Sequence, residues 1–313
     1  MHRVTQKMVV DNFQANLNDI FLRLAKVQDQ LASGQKLRRP SDDPLGVNRA
    51  LSVRSSLQLN DQFLRTIDLS KTWLDTSDSA LSTISEVLQR GRELAVQGAN
   101  QTLTPTDLQS MGDEAAQLVG AALQAANTNL LGAYVFSGTK TTTKPFGDLI
   151  PPPPPAYPGG PGQPVVAGGG LYGYNGNSGA TSQMQREIGP NLHISINTTG
   201  DQLVSALNAL VKLRDDLQSG ISSAVSADIG SLDAGIDQVS QLRADVGAKV
   251  NRFDFAEERL KDFQLQLTKF LSQTEDVDIT KAASEFALEQ TVYQTALKAG
   301  ASAIQPSLLD FLR

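Results

Sequence analysis

Histidines, cysteines and paired carboxylates are the side chains from which a hydrolytic, redox or metal-dependent site is built, and this sequence offers few useful combinations of them. Its 313 residues hold two histidines and no cysteine. Without cysteine there are no disulfides and no thiolate metal sites. His2 and His193 are far apart in the chain, so a metal site or a Cys–His or Ser–His–Asp relay has little material. His193 reads as an outward residue of a strand. The acidic groups Asp42/Asp43, Asp215/Asp216, Glu257/Glu258 and Glu275/Asp276/Asp278 are of the kind that act as acid and base in glycoside cleavage. Each has a simpler role in capping or in a solvated helix face. Asp42 and Asp43 sit at a helix start, where an acid complements the dipole. Glu257 and Glu258 sit beside Arg252, Arg259 and Lys261, and Glu275 to Asp278 precede a helix. Gly168-Gly169-Gly170 is not followed by Lys-Ser or Lys-Thr, so no phosphate loop is present. Trp73 reads as a packing residue. No catalytic residue, cofactor or metal is expected.

The net charge of −6 and a pI near 5.0 give no basic footprint for a nucleic acid. Lys36, Arg38 and Arg39 are too small a group to change this. The apolar stretch Met8–Val10 is too short for a cleavable signal. No run reaches membrane-spanning length, so no membrane insertion is expected. By itself the composition reads as cytosolic.

What remains is the helical framework. Near the N-terminus Val10, Phe13, Leu17, Ile20, Leu24, Val27 and Leu31 recur in steps of three and four, an unbroken heptad stripe. Gly34 can cap it. Arg39-Pro40-Ser41-Asp42-Asp43-Pro44 is a break with a restart, with Asp43 as cap and Pro44 in the first turn. A second helical block covers about 45–99, carrying Ile67, Leu74, Leu81, Leu88 and Ala95 every seven residues. Thr104-Pro105-Thr106-Asp107 opens a third helix with a capping box, predicted to end near Asn129.

The pattern then changes. Tyr134-Val135-Phe136 and Leu192–Ile196 read as strands. Pro151–Pro155 favours polyproline II, and Gly159–Gly179 is a glycine-rich loop. Helix returns near Asp201, with a heptad row from Val225 to Leu271. A last helix carries Ile279, Ala283, Phe286, Tyr293, Leu297 and Ile304, with Gln290 and Gly300 between, and Pro306 stops it. Leu308, Leu309 and Phe311 make the tail apolar. The fold class is mainly α: long antiparallel helices and a coiled coil from both chain ends, with a small β-rich insertion. Three parts are expected: a terminal coiled coil of 1–44 plus 275–313, a helical middle of 45–140 plus 200–274, and an insertion of 141–199.

The two terminal stripes invite pairing with each other. The burial they offer falls short of the conformational entropy of ordering so many residues. Packing among copies would supply the rest, which makes both stripes candidate assembly surfaces. An ordinary intramolecular coiled coil stays open as the alternative.

These segments resemble a known family. Leu31-Ala32-Ser33-Gly34-Gln35-Lys36 with Arg39-Pro40-Ser41-Asp42-Asp43-Pro44, Trp73 to Leu81, and Leu88 to Asn100 are similar to the N-terminal signature of flagellin-like axial proteins of bacteria. Asn127-Thr128, Tyr134 to Lys140, Tyr293-Gln294-Thr295-Ala296-Leu297 and the ending Gln305 to Phe311 resemble the hook-associated protein 3 branch. The likeness covers about residues 1–146 and 200–313; the stretch from Asp148 to about Gly179 departs from it. The resemblance implies a structural subunit of the flagellum at the hook–filament junction, exported unfolded by the flagellar type III apparatus and lying outside the cell. It implies as partners further copies in a helical or ring array, hook-associated protein 1, flagellin and an export chaperone. It places the terminal pair innermost and the insertion outermost. Filament flagellin is the nearest alternative. A cytosolic coiled-coil scaffold or signalling protein, and an enzyme with its site in the insertion, are the others.

Overall fold

A computed structural model describes residues 6–37, 39–100, 102–147, 174–176 and 182–304. His2, the proline run, most of the glycine-rich loop and residues 305–313 lie outside the described residues. The elements are α1 (Gln6–Ser33), α2 (Pro44–Gly98), α3 (Pro105–Ala126), β1 (Asn129–Leu130), β2 (Ala133–Tyr134), β3 (Gln185–Gly189), β4 (Leu192–Ser195), α4 (Val204–Ser219), α5 (Ser222–Glu275) and α6 (Ile279–Ile304). The fold is mainly α.

Helix ends follow the local chemistry. At α2 the Asp43 Oδ1 accepts from Leu45 N at 3.1 Å, and Pro44 opens the first turn. At α3 the capping box is complete: Thr104 Oγ1 accepts from Asp107 N, and Asp107 Oδ2 accepts from Thr104 N. The Thr104 hydroxyl also donates to Asp107 Oδ2 at 2.6 Å, and this bond, with the one from Thr104 N, holds the Asp107 carboxyl below its usual range. Gly34 and Gly220 take φ of 70° and 72° after α1 and α4, the left-handed conformation that ends a helix. The break at Gly220 splits what the apolar row alone reads as one returning helix.

The chain forms two compact units, Met1–Leu59 with Asp262–Arg313, and Asn60–Lys261. The divisions fall inside α2 and α5, not at the helix breaks near 44 and 275.

The second unit holds the core. Ile67, Leu74, Leu81, Leu88 and Ala95 are fully buried along α2. A neighbouring α2 row, Ser77, Ile84, Gly91 and Gly98, turns small toward its end, and α4 sits close there. A Cβ at Gly91 would meet Leu210 Cδ2, and one at Gly98 would meet Leu217 Cδ2, each at 2.7 Å. In this unit α2 and α5 are antiparallel: Asn60 Nδ2 donates to the Leu260 carbonyl at 3.0 Å, Lys71 pairs with Asp254, Arg243 with Asp78, and Arg92 with Asp233. On α5, Val225, Leu232, Val239, Val246 and Phe253 point into the core.

Two small antiparallel hairpins, β1–β2 and β3–β4, complete this unit. The expected strand at Tyr134–Phe136 is shorter and earlier, at Ala133–Tyr134. Val135 and Phe136 are buried beyond it, and packing in a turn wins over extended pairing. Residues of the expected insertion share this core: Phe146, Ile188, Ile194 and Ile196 belong to the same apolar cluster.

Candidate functional site

The sequence points to assembly surfaces, so the first unit is the place to look. Here α1 and α6 run antiparallel. Arg23 Nε donates to Glu289 Oε1 at 3.1 Å, the Phe21 and Tyr293 rings stand 6.1 Å apart, and Phe13 lies against Gly300, where a Cβ would collide with its ring. Partners thus rise on one helix as they fall on the other.

The α1 stripe is the inward face. Phe13, Leu17, Ile20, Leu24, Val27 and Leu31 are each half-buried, and Val10 is exposed. None of the seven is fully covered. The α6 stripe divides. Phe286 and Tyr293 lie in the seam, but the seam's other row is Ala282, Glu289 and Ala296, not Ala283, Gln290 and Leu297. Ile279 is 67% exposed and Leu297 42%, and Ala283 is exposed. Sequence periodicity cannot separate the two rows, because i+3 and i+4 positions flank the same helix face. Small residues at 282, 296 and 300 let α1 approach, which displaces the larger Ile279 and Leu297 to the flank. Leu297 stands one turn beyond Tyr293. Leu17, Phe21 and Tyr293 line an open groove with Asp11, Gln14 and Asn18. The Ile304 side chain and Leu308, Leu309 and Phe311 lie outside the described residues.

Among the described residues the first unit buries few apolar side chains fully: Ala50, Val53 and Ala282. Its surface carries Met8, Phe21, Leu22, Leu45, Leu51, Leu59, Phe263, Leu265, Phe270, Ile279, Leu288, Val292 and Leu297. So many exposed large apolar side chains make this unit the candidate interaction surface.

The corner that positions the pair is well held. Lys36 N donates to the Glu275 carbonyl at 2.6 Å and Val277 N to the Gly34 carbonyl at 3.0 Å, forming a bridge at Gln35 and Asp276. Arg54 Nη2 reaches the Glu275 carboxylate at 2.6 Å, and that carboxylate is almost fully buried. The break after α1 and the break before α6 are therefore tied to each other. No sequence signal announced this pair, since Arg54 and Glu275 are 221 residues apart.

The acidic groups are engaged structurally. Asp42 Oδ2 accepts from Arg39 N. Asp278 Oδ1 caps α6 through Thr280 N and Lys281 N. Glu257 pairs with Lys261 and Lys71, which hold its carboxyl below the usual range. Asp215 accepts from the buried Arg214 guanidinium. His193 is exposed on β4, opposite Glu187. Among the described residues no group of acids and histidines is placed to hold a metal ion, and no helix is long and apolar enough to cross a membrane.

One buried carboxylate was not foreseen. Asp228, fully buried on α5, pairs with Lys212 of α4. Burial pushes its carboxyl up to about 6, opposed by Lys212 and reinforced by the nearby Asp216. Lys212 is in turn held above its usual range by Asp228.

Comparison with known proteins gives these features a context. A profile of the bacterial flagellin N-terminal helical region matches residues 4–141, and one of the bacterial flagellin C-terminal helical region matches residues 229–312. The chain is similar to a flagellar hook-associated protein 3 of Escherichia coli, 25% identical over 304 residues, covering 94% of both chains. It is also similar to a flagellar filament 33 kDa core protein of Treponema phagedenis, 24% identical over 305 residues and 96% of both. Its fold matches a solved putative flagellar hook-associated protein from Vibrio parahaemolyticus, with a TM-score of 0.64 and 21% identity, over 75% of this chain and 100% of that one.

Proposed function

The chain belongs to the bacterial flagellin family, and on that premise we propose that it is a structural subunit of the flagellum forming the junction between hook and filament. The single observation that carries the reading is the division of labour between the two units. The second has a full apolar core; the first, built from both chain ends, has scarcely any and exposes the side chains that would make one. A helix pair of this kind gains its missing burial from neighbours. The α1 stripe Val10 to Leu31 and the α6 residues Ile279, Ala283, Phe286, Tyr293, Leu297 and Ile304, with Leu308, Leu309 and Phe311, form the surfaces through which copies pack.

In this reading the copies form a helical or ring layer, with hook-associated protein 1 on one side and flagellin on the other. Segments 1–44 and 275–313 make its inner part, 45–140 and 200–274 its middle, and 141–199 its outward insertion. The chain leaves the cell unfolded after release from an export chaperone. The absence of cysteine suits that route, because no disulfide has to be broken first. Its work is mechanical adaptation rather than catalysis, a reading supported by the engagement of Asp43 and Asp278 in caps and of Asp215, Glu257 and Glu275 in ion pairs.

A deletion strain tests the proposal. Cells lacking the gene should make hooks without filaments and release flagellin into the medium, and immunogold should label isolated flagella at the hook–filament boundary. A second reading, filament flagellin, is favoured by the likeness to the Treponema core protein along nearly the whole chain. Gold along the entire filament would establish that reading in place of the junction.

A further inference from the structure

Two opposite charges face one cavity of the second unit without pairing with each other. The cavity holds about 330 Å³ and lies between the segment that follows β4, the turn Gly200–Leu203 that leads into α4, and α5. Asp201 stands in that turn. Its Oδ1 is buried and has no hydrogen-bond partner among the described residues, and a buried acceptor without a donor is costly. Lys249 comes from α5. It is half-buried, and its ammonium donates to the Asn197 carbonyl at 3.2 Å, which leaves further N–H groups for other acceptors. Burial holds its pKa below the usual lysine value, and Asp245, one turn earlier on the same helix, opposes this only in part.

The frame around these charges is well held. Asn197 is buried; its Oδ1 accepts from Met184 N at 2.8 Å, and its Nδ2 donates to the Ser182 carbonyl at 2.7 Å. The carbonyl that receives Lys249 is therefore fixed in place, and charges fixed in advance bind without a large ordering cost. A ligand for this cavity has to bring a cationic donor to Asp201 and an anionic acceptor to Lys249, because hydrogen bonds between charged groups are the strong ones. An α-amino acid carries both groups on one carbon. Leu242 is the one apolar side chain among the lining residues, so the walls suit a polar side chain. The exposed Asp245 also lines the cavity. Carboxylates thus outnumber the ammonium, which favours a basic side chain over an acidic one. The volume falls at the lower end of the range for small-molecule sites.

We propose that this cavity binds a free α-amino acid with a basic side chain, its α-ammonium on Asp201 and its carboxylate on Lys249. Asp245 takes the side-chain cation. The bound molecule joins the turn before α4 to α5 and so stabilises the second unit. Binding is a property of the single chain and stands apart from the flagellar reading.

Isothermal titration of the purified full chain tests this with three probes. L-Lysine is expected to give saturable, one-to-one heat below about 10 mM, and to raise the melting temperature of the chain. Cadaverine lacks the carboxylate, and L-glutamate reverses the side-chain charge. Each is expected to bind at least about ten-fold more weakly than L-lysine. Asp201→Asn and Lys249→Gln are each expected to weaken L-lysine by about the same factor, with Trp73 fluorescence in urea showing that the variants fold. The absence of saturable heat with L-lysine overturns the proposal. So does cadaverine binding as tightly as L-lysine, which marks a plain cation site, or L-glutamate doing so. A folded variant that binds L-lysine like the parent overturns it too. Where a variant fails to fold, the three titrations of the parent decide.

Discussion

Replacing Gly98 with alanine tests whether glycine sets the helix spacing of the second unit. A Cβ at this position would stand 2.7 Å from Leu217 Cδ2, 3.2 Å from Val225 Cγ1 and 3.5 Å from Leu108 Cδ2. All three neighbours are buried, and Val225 is held in its rotamer by β-branching. The added methyl is walled on three sides, and overpacking of this kind costs roughly 1–3 kcal/mol. Gly98 is the last residue of α2, so the gain in helix propensity is small. Gly91 is the control. Its Cβ would also meet a leucine at 2.7 Å, but the next atoms are at 3.6 and 3.9 Å, so one rotamer change absorbs it. At mid-helix, alanine gains about 1 kcal/mol over glycine. Gly98→Ala should therefore lose about 2 kcal/mol, while Gly91→Ala stays within about 1 kcal/mol of the parent. Trp73 is the single tryptophan and packs against this core, so its fluorescence in urea reads the second unit specifically, with a constant slope confirming a pure stability change. Leu217→Ala alone should cost about 2–5 kcal/mol. With Gly98→Ala the new methyl occupies part of the vacated space, so the double variant should recover at least about 1 kcal/mol against the sum. Strict additivity, or a Gly98→Ala chain as stable as the parent, refutes the spacing argument.

Other perturbations check separate parts of the structure. The Asp228 carboxyl is raised to about 6 from 3.8, so the native state favours its proton. Its contribution is fully present below about pH 4 and is lost as pH rises through 6. Asp228→Asn should abolish that loss, so that a melting series from pH 4 to 7 declines less steeply in the variant than in the parent. Arg54→Ala strands the Glu275 carboxylate. With the arginine itself half exposed, the cost should be about 1–2 kcal/mol, and hydrogen exchange at the Lys36 and Val277 amides should accelerate, with Glu275→Gln restoring part of the protection. Thr104→Ala removes the α3 cap at a cost of about 1 kcal/mol, measured by the same Trp73 unfolding. It should also return the Asp107 carboxyl toward its usual range in a side-chain NMR titration.

Helix positions were legible because their signals are local. A seven-residue apolar row such as Ile67 to Ala95 needs no knowledge of its partner to be buried, and the caps at Asp43 and Thr104 act within three residues. The seam of α6 was not legible to the same degree. Ala282 and Ala296 carry less hydrophobic weight than Ile279 and Leu297, so a reading by apolarity selects the larger side chains. Close packing selects the smaller ones, and that choice depends on α1, some 270 residues away. The same reason hid Gly91 and Gly98: a glycine in a helix reads as a weakness until the leucine that fills its space is known. The Arg54–Glu275 and Lys212–Asp228 pairs join helices through the fold and leave no trace in spacing. Of the acidic groups, the caps at Asp43 and Asp278 were readable from spacing, whereas the partners of Glu257 and Glu275 on α2 were not.

These two kinds of legibility bear on how the molecule works. In the second unit the apolar rows that the sequence marks, Ile67 to Ala95 and Val225 to Phe253, are the rows the fold covers, with Leu69, Val96, Leu131, Ile221 and Phe255 left outside them. In the first unit they diverge: Ile279, Leu297, Phe21 and Leu288 are apolar by sequence and exposed in the fold. On the α6 side the seam alternates the small Ala282, Ala296 and Gly300 with Phe286 and Tyr293, facing the half-buried Phe13 to Leu31 stripe of α1. The small α6 positions let the two helices approach closely, and the larger Ile279, Leu288 and Leu297 are left exposed. Large apolar side chains left outside a seam narrowed on its α6 side fit the proposed reading of the pair as one layer of a larger wall. The corner bridge at Gln35 and Asp276, with Arg54 on Glu275, ties the entry of that pair to its exit, so that any load on one helix is passed to the other.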